Sequence, residues 1–301
     1  MALGCLHTVG IDVLALLHER GIVAKSTAVK LTLLQGGYWN TVCRLQGDGL
    51  DWVVKVFASQ DGWRLFPILP DDEARALLLL KGHDVAPEYV EYHPSVGELP
   101  AVLVYQWVEG TMWTAGTDDV ARLFRRQHAV SVDGFREVPT GSIGIVEQGE
   151  RLLQAADSHE AAMLRKVCPT TRVQPTPRRA LIHTDAGTGN FIVGPQGIRL
   201  IDWQCPALGD AAEDLFTFLS PAFQVLYCHE PLTMLERAEF LDAYEEPTVL
   251  ARLAALAPAL TFRMGAYCAM RRLELAESDP PSAARYARAV ELSIAELTEG
   301  S

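Results

Sequence analysis

LIHTDAGTGNFIVGPQGIRLIDWQ, residues 181–204, sets short apolar, β-branched runs between polar breaks, and on those breaks stand Asp185, Asn190 and Asp202. The turn Gly194-Pro195-Gln196-Gly197 separates Phe191–Val193 from Ile198–Ile201, so the two runs read as a β-hairpin. Such a hairpin returns Asp202 toward Asn190. Asp185 precedes Asn190 across a loop holding Gly187 and Gly189. Singly, each of the three fits an Asx turn or a cap. Brought together by one hairpin, they fit phosphoryl transfer, which needs an aligned acceptor hydroxyl and compensation for phosphate charge. Asp185 suits the first task, orienting the hydroxyl and accepting its proton as charge develops. Asn190 and Asp202 offer hard oxygens to one magnesium ion, the amide without adding negative charge.

The chain around this stretch has the composition of a globular protein: 301 residues, 49% hydrophobic and 21% charged. Its formal net charge of -12, from 38 acidic and 26 basic side chains, argues against a nonspecific nucleic-acid surface. Cys5, Cys43, Cys168, Cys205, Cys228 and Cys268 form no CxxC pair, so they read as reduced thiols rather than a zinc or disulfide framework. MALGCLHTVG lacks the basic and apolar regions of a signal peptide. Residues 254–266 are apolar but hold Pro258 and Arg263 and fall short of a membrane span. The expectation is a soluble, cytoplasmic protein with no membrane or nucleic-acid partner.

Before the central stretch, a short helix is expected within residues 8–23. Three antiparallel strands follow at Ala28–Leu34, Thr41–Leu45 and Trp52–Phe57, punctuated by Gln35-Gly36-Gly37 and Gly47-Asp48-Gly49. Pro70-Asp71-Asp72 starts a helix that Gly82 ends, with Glu73 at the edge of its apolar face. Tyr89–Tyr92 and Ala101–Val108 read as two more strands, leading to a hinge near residues 105–110. Beyond it, Val120, Leu123, Phe124 and Gln127 recur at helical spacing after a cap at Asp118-Asp119. Four helices are expected at 233–244, 249–257, 260–275 and 282–297. The organisation is α+β and two-lobed. Residues 1–106 form a small antiparallel-sheet lobe for the nucleotide, and residues 107–301 form a mostly helical catalytic and substrate-binding lobe.

The first lobe supplies what the central stretch lacks. Lys55 alternates with Val54 and Val56 and so points away from their face. An ammonium within an apolar strand is costly unless paired. Glu73 is its natural partner, with the lysine then set to contact nucleotide phosphates. In the loop Gln35-Gly36-Gly37-Tyr38-Trp39-Asn40, Gly36 and Gly37 permit close backbone approach to phosphates. The backbone from Gln106 to Val108 is placed to hydrogen-bond adenine. His183 reads as a structural histidine; Asp210 reads as a cap and Asp214 as a brace for the Asp185 loop, or each equally as part of a plain solvated helix start.

Set in series, these motifs resemble the aminoglycoside phosphotransferase and choline kinase superfamily, which has the protein-kinase-like fold. The resemblance rests on His183-Thr184-Asp185, Asn190, Ile201-Asp202-Trp203, Gly209-Asp210 and Asp214. Gly36-Gly37-Tyr38-Trp39-Asn40, Lys55, Glu73 and Glu109-Gly110 fall in family order as well. It implies ATP- and Mg2+-dependent phosphorylation of a small-molecule hydroxyl. Asp185 is then the catalytic base, Asn190 and Asp202 the magnesium ligands, and Lys55 the phosphate-contacting lysine. Relatives often carry a second histidine and a proline after the catalytic Asp, where this chain has Ala186-Gly187-Thr188-Gly189, a departure that bears on the substrate more than on the chemistry.

The substrate class stays open between an aminoglycoside, an amino alcohol, a sugar and a homoserine-like compound. Glu236, Glu239, Asp242, Glu245 and Glu246 favour an amine, while Arg271-Arg272 favours an anion. The alternative is a nonenzymatic nucleotide-binding module acting through protein–protein contacts, which would not need both Asp185 and Asp202. A protein kinase fits less well, because Gly209–Asp214 arrives too soon for a long activation segment.

Overall fold

Asp12 caps α1 (Val13–Glu19), its Oδ1 accepting from the Ala15 N–H at 3.0 Å. The computed structural model describes residues 12–34, 39–60, 62–156 and 158–299, so Gly36 and Gly37 lie outside the described residues. The expected strands form as β1 (Lys30–Leu33), β2 (Thr41–Gly47) and β3 (Leu50–Val56), followed by α2 (Pro70–Leu79), β4 (Tyr89–His93) and β5 (Val102–Gln106). They make one sheet in the order β1-β2-β3-β5-β4, antiparallel throughout. Between β2 and β3 the loop is only Asp48-Gly49, both at positive φ (50° and 81°), as a type I′ hairpin requires.

Alternation along β3 decides the two faces of this sheet. Val54 and Val56, with Val102 and Val104 of β5, join Leu16 and Leu17 of α1 in one apolar cluster. Lys55 points to the opposite face, where α2 packs against β4 and β5. Pro70 occupies the first turn of α2, where its missing N–H costs nothing. Glu73, read at the edge of the apolar face of that helix, is 1% exposed, among its buried positions Ala74, Ala76 and Leu77.

Two compact units divide the chain: one runs to Thr111 and takes in Ile192–Cys205, and the other comprises Met112–Phe191 and the residues from Pro206 onward. The boundary read at residue 106 thus compares with a division at Thr111 and a discontinuous first unit. Specific bonds hold the later segment there. Leu200 N–H donates to Val85 O at 2.8 Å, Leu69 N–H donates to Gln204 O at 2.9 Å, and the Trp203 ring is fully buried.

The chain continues through β6 (Thr111–Met112), α3 (Thr117–His128), α4 (Ser142–Gln154), α5 (His159–Lys166) and β7 (Ala180–Ile182). Then come β8 (Phe191–Gly194), β9 (Gly197–Leu200), β10 (Ala207–Gly209), α6 (Ala212–Leu219) and α7 (Pro221–Leu226). The chain closes with α8 (Met234–Tyr244), α9 (Pro247–Leu275) and α10 (Pro280–Glu299). The expected hairpin is present as β8 and β9, in a three-stranded sheet ordered β6-β8-β9. This is the α+β, protein-kinase-like architecture: a small antiparallel sheet with few helices, and a larger, mostly helical unit.

Three local expectations are corrected. Gly116, not Asp118-Asp119, is the N-cap of α3; the two aspartates lie within its first turn, where they favour the helix dipole and meet Arg122. The helices expected at 249–257 and 260–275 are one, α9, running 29 residues through Pro258. A proline inside a helix costs about 3 kcal/mol, but α9 packs against α4, α5, α6 and α10 and is buried along much of its length, which offsets that loss. The apolar run is therefore longer than residues 254–266 suggested. By length and hydropathy α9 passes the test for a membrane span, yet 56% of that window is buried, as in the core helix of a folded domain. Arg263 within it is buried too, paired with Glu213 at 2.6 Å and Gln148 at 3.0 Å.

The core of the second unit is aromatic. Phe218 lies 5.1 Å from Phe240, 5.6 Å from Phe191, 5.2 Å from Trp113 and 6.4 Å from Phe124, mostly edge to face. Phe191 is the residue on which the central loop enters β8. Phe218→Ala is expected to lower unfolding free energy by about 3–5 kcal/mol in chemical denaturation, the cost of removing a fully buried aromatic ring. A loss under 1 kcal/mol would contradict the central place given to this cluster.

Candidate active site

Within the first unit, Lys55 is the centre of the polar side chains. Its Nζ donates to Glu73 Oε1 and Oε2 at 2.9 and 2.7 Å and to Asp202 Oδ1 at 2.6 Å. The lysine and Glu73 side chains are 2% and 1% exposed, whereas the Asp202 side chain is 41% exposed. Burial alone pushes the ammonium down, but the carboxylates of Asp202 and Glu73 outweigh it and hold Lys55 above the ordinary lysine range. Burial also raises Glu73, with Lys55 opposing the rise. The lysine is thus kept cationic in a place where a lone ammonium would be neutral. Asp202 reaches it from a left-handed backbone position, φ 63°, just after β9. Trp203 fixes that turn, its Nε1 donating to Leu200 O at 2.8 Å.

Asn40 is buried in the same unit. Its Nδ2 donates to Gln204 Oε1 at 3.2 Å, and its Oδ1 accepts from the Ala58 N–H at 3.1 Å, so both ends of the amide are engaged. At the hinge, the Gln106 N–H donates to Glu88 O and the Trp107 N–H to Asp51 O. Among the described residues, the backbone of Val108 makes no such bond. Trp107 is half-buried, with the Arg44 guanidinium 3.9 Å above its ring, rather than in the core.

The second unit carries Asp185 on a braced loop. β7 pairs antiparallel with β10, with Ile182 opposite Ala207. The chain then turns through His183 and Thr184. Asp214 of α6, fully buried, collects four donors: the His183 N–H and Thr184 N–H, both at 2.9 Å, Gln127 Nε2 at 2.7 Å and His128 Nε2 at 3.2 Å. Burial works to raise this carboxyl, but its donors, with His128 foremost, hold it below the usual aspartate range. Asp214 therefore braces the Asp185 loop. Thr184 needs the support: a β-branched residue at φ 67° is strained. His183 is fully buried beside it. Asp210 Oδ1 accepts from the Ala212 N–H at 3.1 Å at the start of α6, and its other oxygen meets Arg252.

Beyond Asp185 the loop closes in a single 3-10 turn, Thr188–Asn190. Asn190 Nδ2 donates to the Asp185 carbonyl at 2.8 Å. Tyr227 Oη lies 3.4 Å from both Asp185 Oδ1 and Asn190 Nδ2. A cavity of about 250 Å³ adjoins the loop, lined by Thr188, Trp113, Gln224, His229, Glu230 and Glu236, among others. Thr188 is 1% exposed and its hydroxyl finds no partner among the described residues.

Sequence reasoning missed Tyr227, Gln127 and His128 as members of this network. Gln127 read only as an inward helical position, and no motif marks the other two. Four members of the charged runs pair locally. Glu236 closes a capping box with Thr233, Glu245 meets Arg125, Arg271 meets Glu274, and Arg272 meets Glu160.

With this geometry in place, comparison with known proteins is informative. Residues 30–256 match the model of the phosphotransferase enzyme family, APH. A choline/ethanolamine kinase family protein from Mesorhizobium loti superposes with a TM-score of 0.63 at 19% identity, covering 94% of this chain and 97% of its own. Spectinomycin phosphotransferase, solved with ADP and spectinomycin, gives a TM-score of 0.59 at 15% identity, over 88% of this chain and 92% of its own. Amicoumacin kinase, solved in complex with AMP-PNP, Ca2+ and Ami, gives 0.61 at 15% identity, over 95% and 96%. Among curated protein sequences nothing matches.

Asp214→Asn should cost roughly 2–4 kcal/mol at neutral pH, because several buried donors lose a charged acceptor. The sign of the pH dependence follows from the lowered folded value. The stabilisation is present above the ordinary aspartate value of 3.8 and is lost as pH falls through the folded value. Denaturation of wild type and variant should therefore converge as pH drops below 3.8. A gap that stays constant down to the acid transition would contradict the brace.

Proposed function

Because this chain belongs to the phosphotransferase enzyme family, we propose that it is a kinase transferring the γ-phosphoryl group of ATP to a hydroxyl of a small molecule, with Mg2+. The observation that carries the reading is the buried, cationic Lys55 held between Glu73 and Asp202. A structural ion pair has no need of a second, half-exposed carboxylate; a magnesium-nucleotide site has a use for one. The similar kinases solved with ADP or AMP-PNP support a nucleotide as the donor.

Each residue then has one task. Lys55 contacts the nucleotide phosphates, and Glu73 fixes its direction. Val108 offers backbone groups to the adenine. Asp202 and Asn190 fit a magnesium ion by the hardness of their oxygens. Asp202 keeps an exposed carboxylate, and Asn190 has its nitrogen committed to Asp185 O, so Oδ1 is its ligating atom. Magnesium, when bound, offsets phosphate charge. Asp185 orients the acceptor hydroxyl and takes its proton as the new O–P bond forms and the bond to the leaving ADP breaks. The cavity beside Thr188 is proposed to receive the acceptor, with the unpartnered Thr188 hydroxyl as one contact. An amino alcohol, a sugar or an aminoglycoside fits this chemistry. The reaction needs no membrane or nucleic acid, and a cytoplasmic location fits the nucleotide supply.

The test is a turnover screen with Mg2+ and ATP over such acceptors. Asp185→Ala should lower kcat by about 100- to 10,000-fold, the usual worth of a positioned base, with nucleotide affinity near wild type. Comparable turnover by the two proteins would sink the assignment. In a separate titration, Asp202→Ala should weaken nucleotide binding with Mg2+ present and change it little in EDTA. Equal affinity of wild type and variant with Mg2+ would remove Asp202 from the metal.

A further inference from the structure

Tyr227 closes α7 as its C-cap, and its ring lies on the catalytic loop. A Cβ built on Gly187 would fall 2.1 Å from Tyr227 Cε2, and one built on Gly189 would fall 2.1 Å from Cδ1. No real contact is that short. The ring therefore rests on both glycines, one at each edge. Gly187 has an ordinary φ of -74°, so what it supplies there is room rather than an unusual backbone angle.

The hydroxyl of this ring has matching polarity on both sides. It donates to Asp185 Oδ1 and accepts from Asn190 Nδ2, each at 3.4 Å. A neutral phenol can do both at once. Asn190 is tied in turn to the Asp185 backbone at 2.8 Å, so base, amide and phenol form a closed triangle. The ring is presented from a firm support. Tyr227 N–H donates to Gln224 O, and the fully buried Gln224 side chain bonds Phe218 O and the Leu232 N–H, each at 2.8 Å. Catalytic hydrogen bonds are often long in unliganded sites and shorten on loading.

We infer that Tyr227 is a positioning residue for phosphoryl transfer, seated in the groove left by Gly187 and Gly189 and locking the Asp185 carboxylate and the Asn190 amide into one arrangement. The inference rests on the proposed kinase activity. It gives the two loop glycines a purpose: they trade side chains for the close seat of an aromatic ring delivered from another helix. Asp185 is held by a neutral donor, which fixes its rotamer without neutralising its charge.

The test compares Tyr227→Phe, Tyr227→Ala, Gly187→Ala and the double variant Gly187→Ala/Tyr227→Ala with the wild-type protein, using Mg2+, ATP and an accepted hydroxyl compound. Tyr227→Phe keeps the ring and should lower kcat about tenfold, a loss typical of one hydrogen bond made in the transition state, with KM for ATP within about twofold of wild type. Gly187→Ala should fall below Tyr227→Ala, because the new methyl drives the ring against the loop. The double variant should return to the Tyr227→Ala level, a recovery that a separate structural role for either residue would not give. Unchanged kcat in Tyr227→Phe, or a double variant no better than Gly187→Ala, would overturn the inference while leaving the kinase reading intact. A wild-type protein that phosphorylates no acceptor would overturn the kinase reading, and this inference with it.

Discussion

A buried ammonium is the constraint on which the first unit is built. Placing Lys55 inside a five-stranded sheet is costly, several kcal/mol for each ion removed from water even after relaxation. The chain meets that cost with two carboxylates from different elements, Glu73 from α2 and Asp202 from the turn after β9. Their positions cannot be chosen independently. Glu73 must be buried, so α2 lies on the face of β3 opposite α1. Asp202 must come within 2.6 Å, so the segment after β9 is fixed by Trp203, by the Leu69–Gln204 bond and by Val85. One charge thus organises strand, helix and turn, and it leaves Asp202 half-exposed where a metal is proposed to bind.

The second unit repeats the device with the opposite sign. Asp214 is a buried carboxylate that accepts four hydrogen bonds and holds the loop on which Asp185 stands. Its donors include the backbone of Thr184, held at a strained angle costing about 1–3 kcal/mol. Strain of that size persists only when the surroundings determine the conformation. Here Asp214, His128 and Gln127 do so, with His128 stacked on Phe124 of the aromatic core at 5.7 Å. A polar knot holds the Asp185 loop, and an apolar cluster holds the knot.

The residues legible in the sequence are those whose role is written in local pattern. Lys55 declares itself by alternation, Glu73 by its place on the next helix, and β8 and β9 by the glycine–proline turn between them. Asp214 read equally as a brace or as a solvated helix start, and its burial decides for the brace. What escaped the pattern depends on distant partners. Tyr227 meets Asp185 across 42 residues, and nothing in its own neighbourhood marks it. Pro258 misled for a related reason: local chemistry forecasts a break, and packing of α9 against its neighbours outweighs it. The acidic run and Arg271-Arg272 showed charge but not its pairing, which only the fold supplies. The loop residues Gly36 and Gly37 lie outside the described structure, so their expected contact with phosphate rests on sequence.

The central claim is that the buried lysine and the braced aspartate serve transfer of phosphate to a small molecule. Following the label from ATP carrying a radioactive γ-phosphate tests it most directly, with wild-type protein, Mg2+ and a mixture of hydroxyl-bearing metabolites and antibiotics. The label is expected in a low-molecular-weight organic product, and Lys55→Met is expected to abolish its appearance. Label found only as inorganic phosphate, or only on protein, would contradict the account.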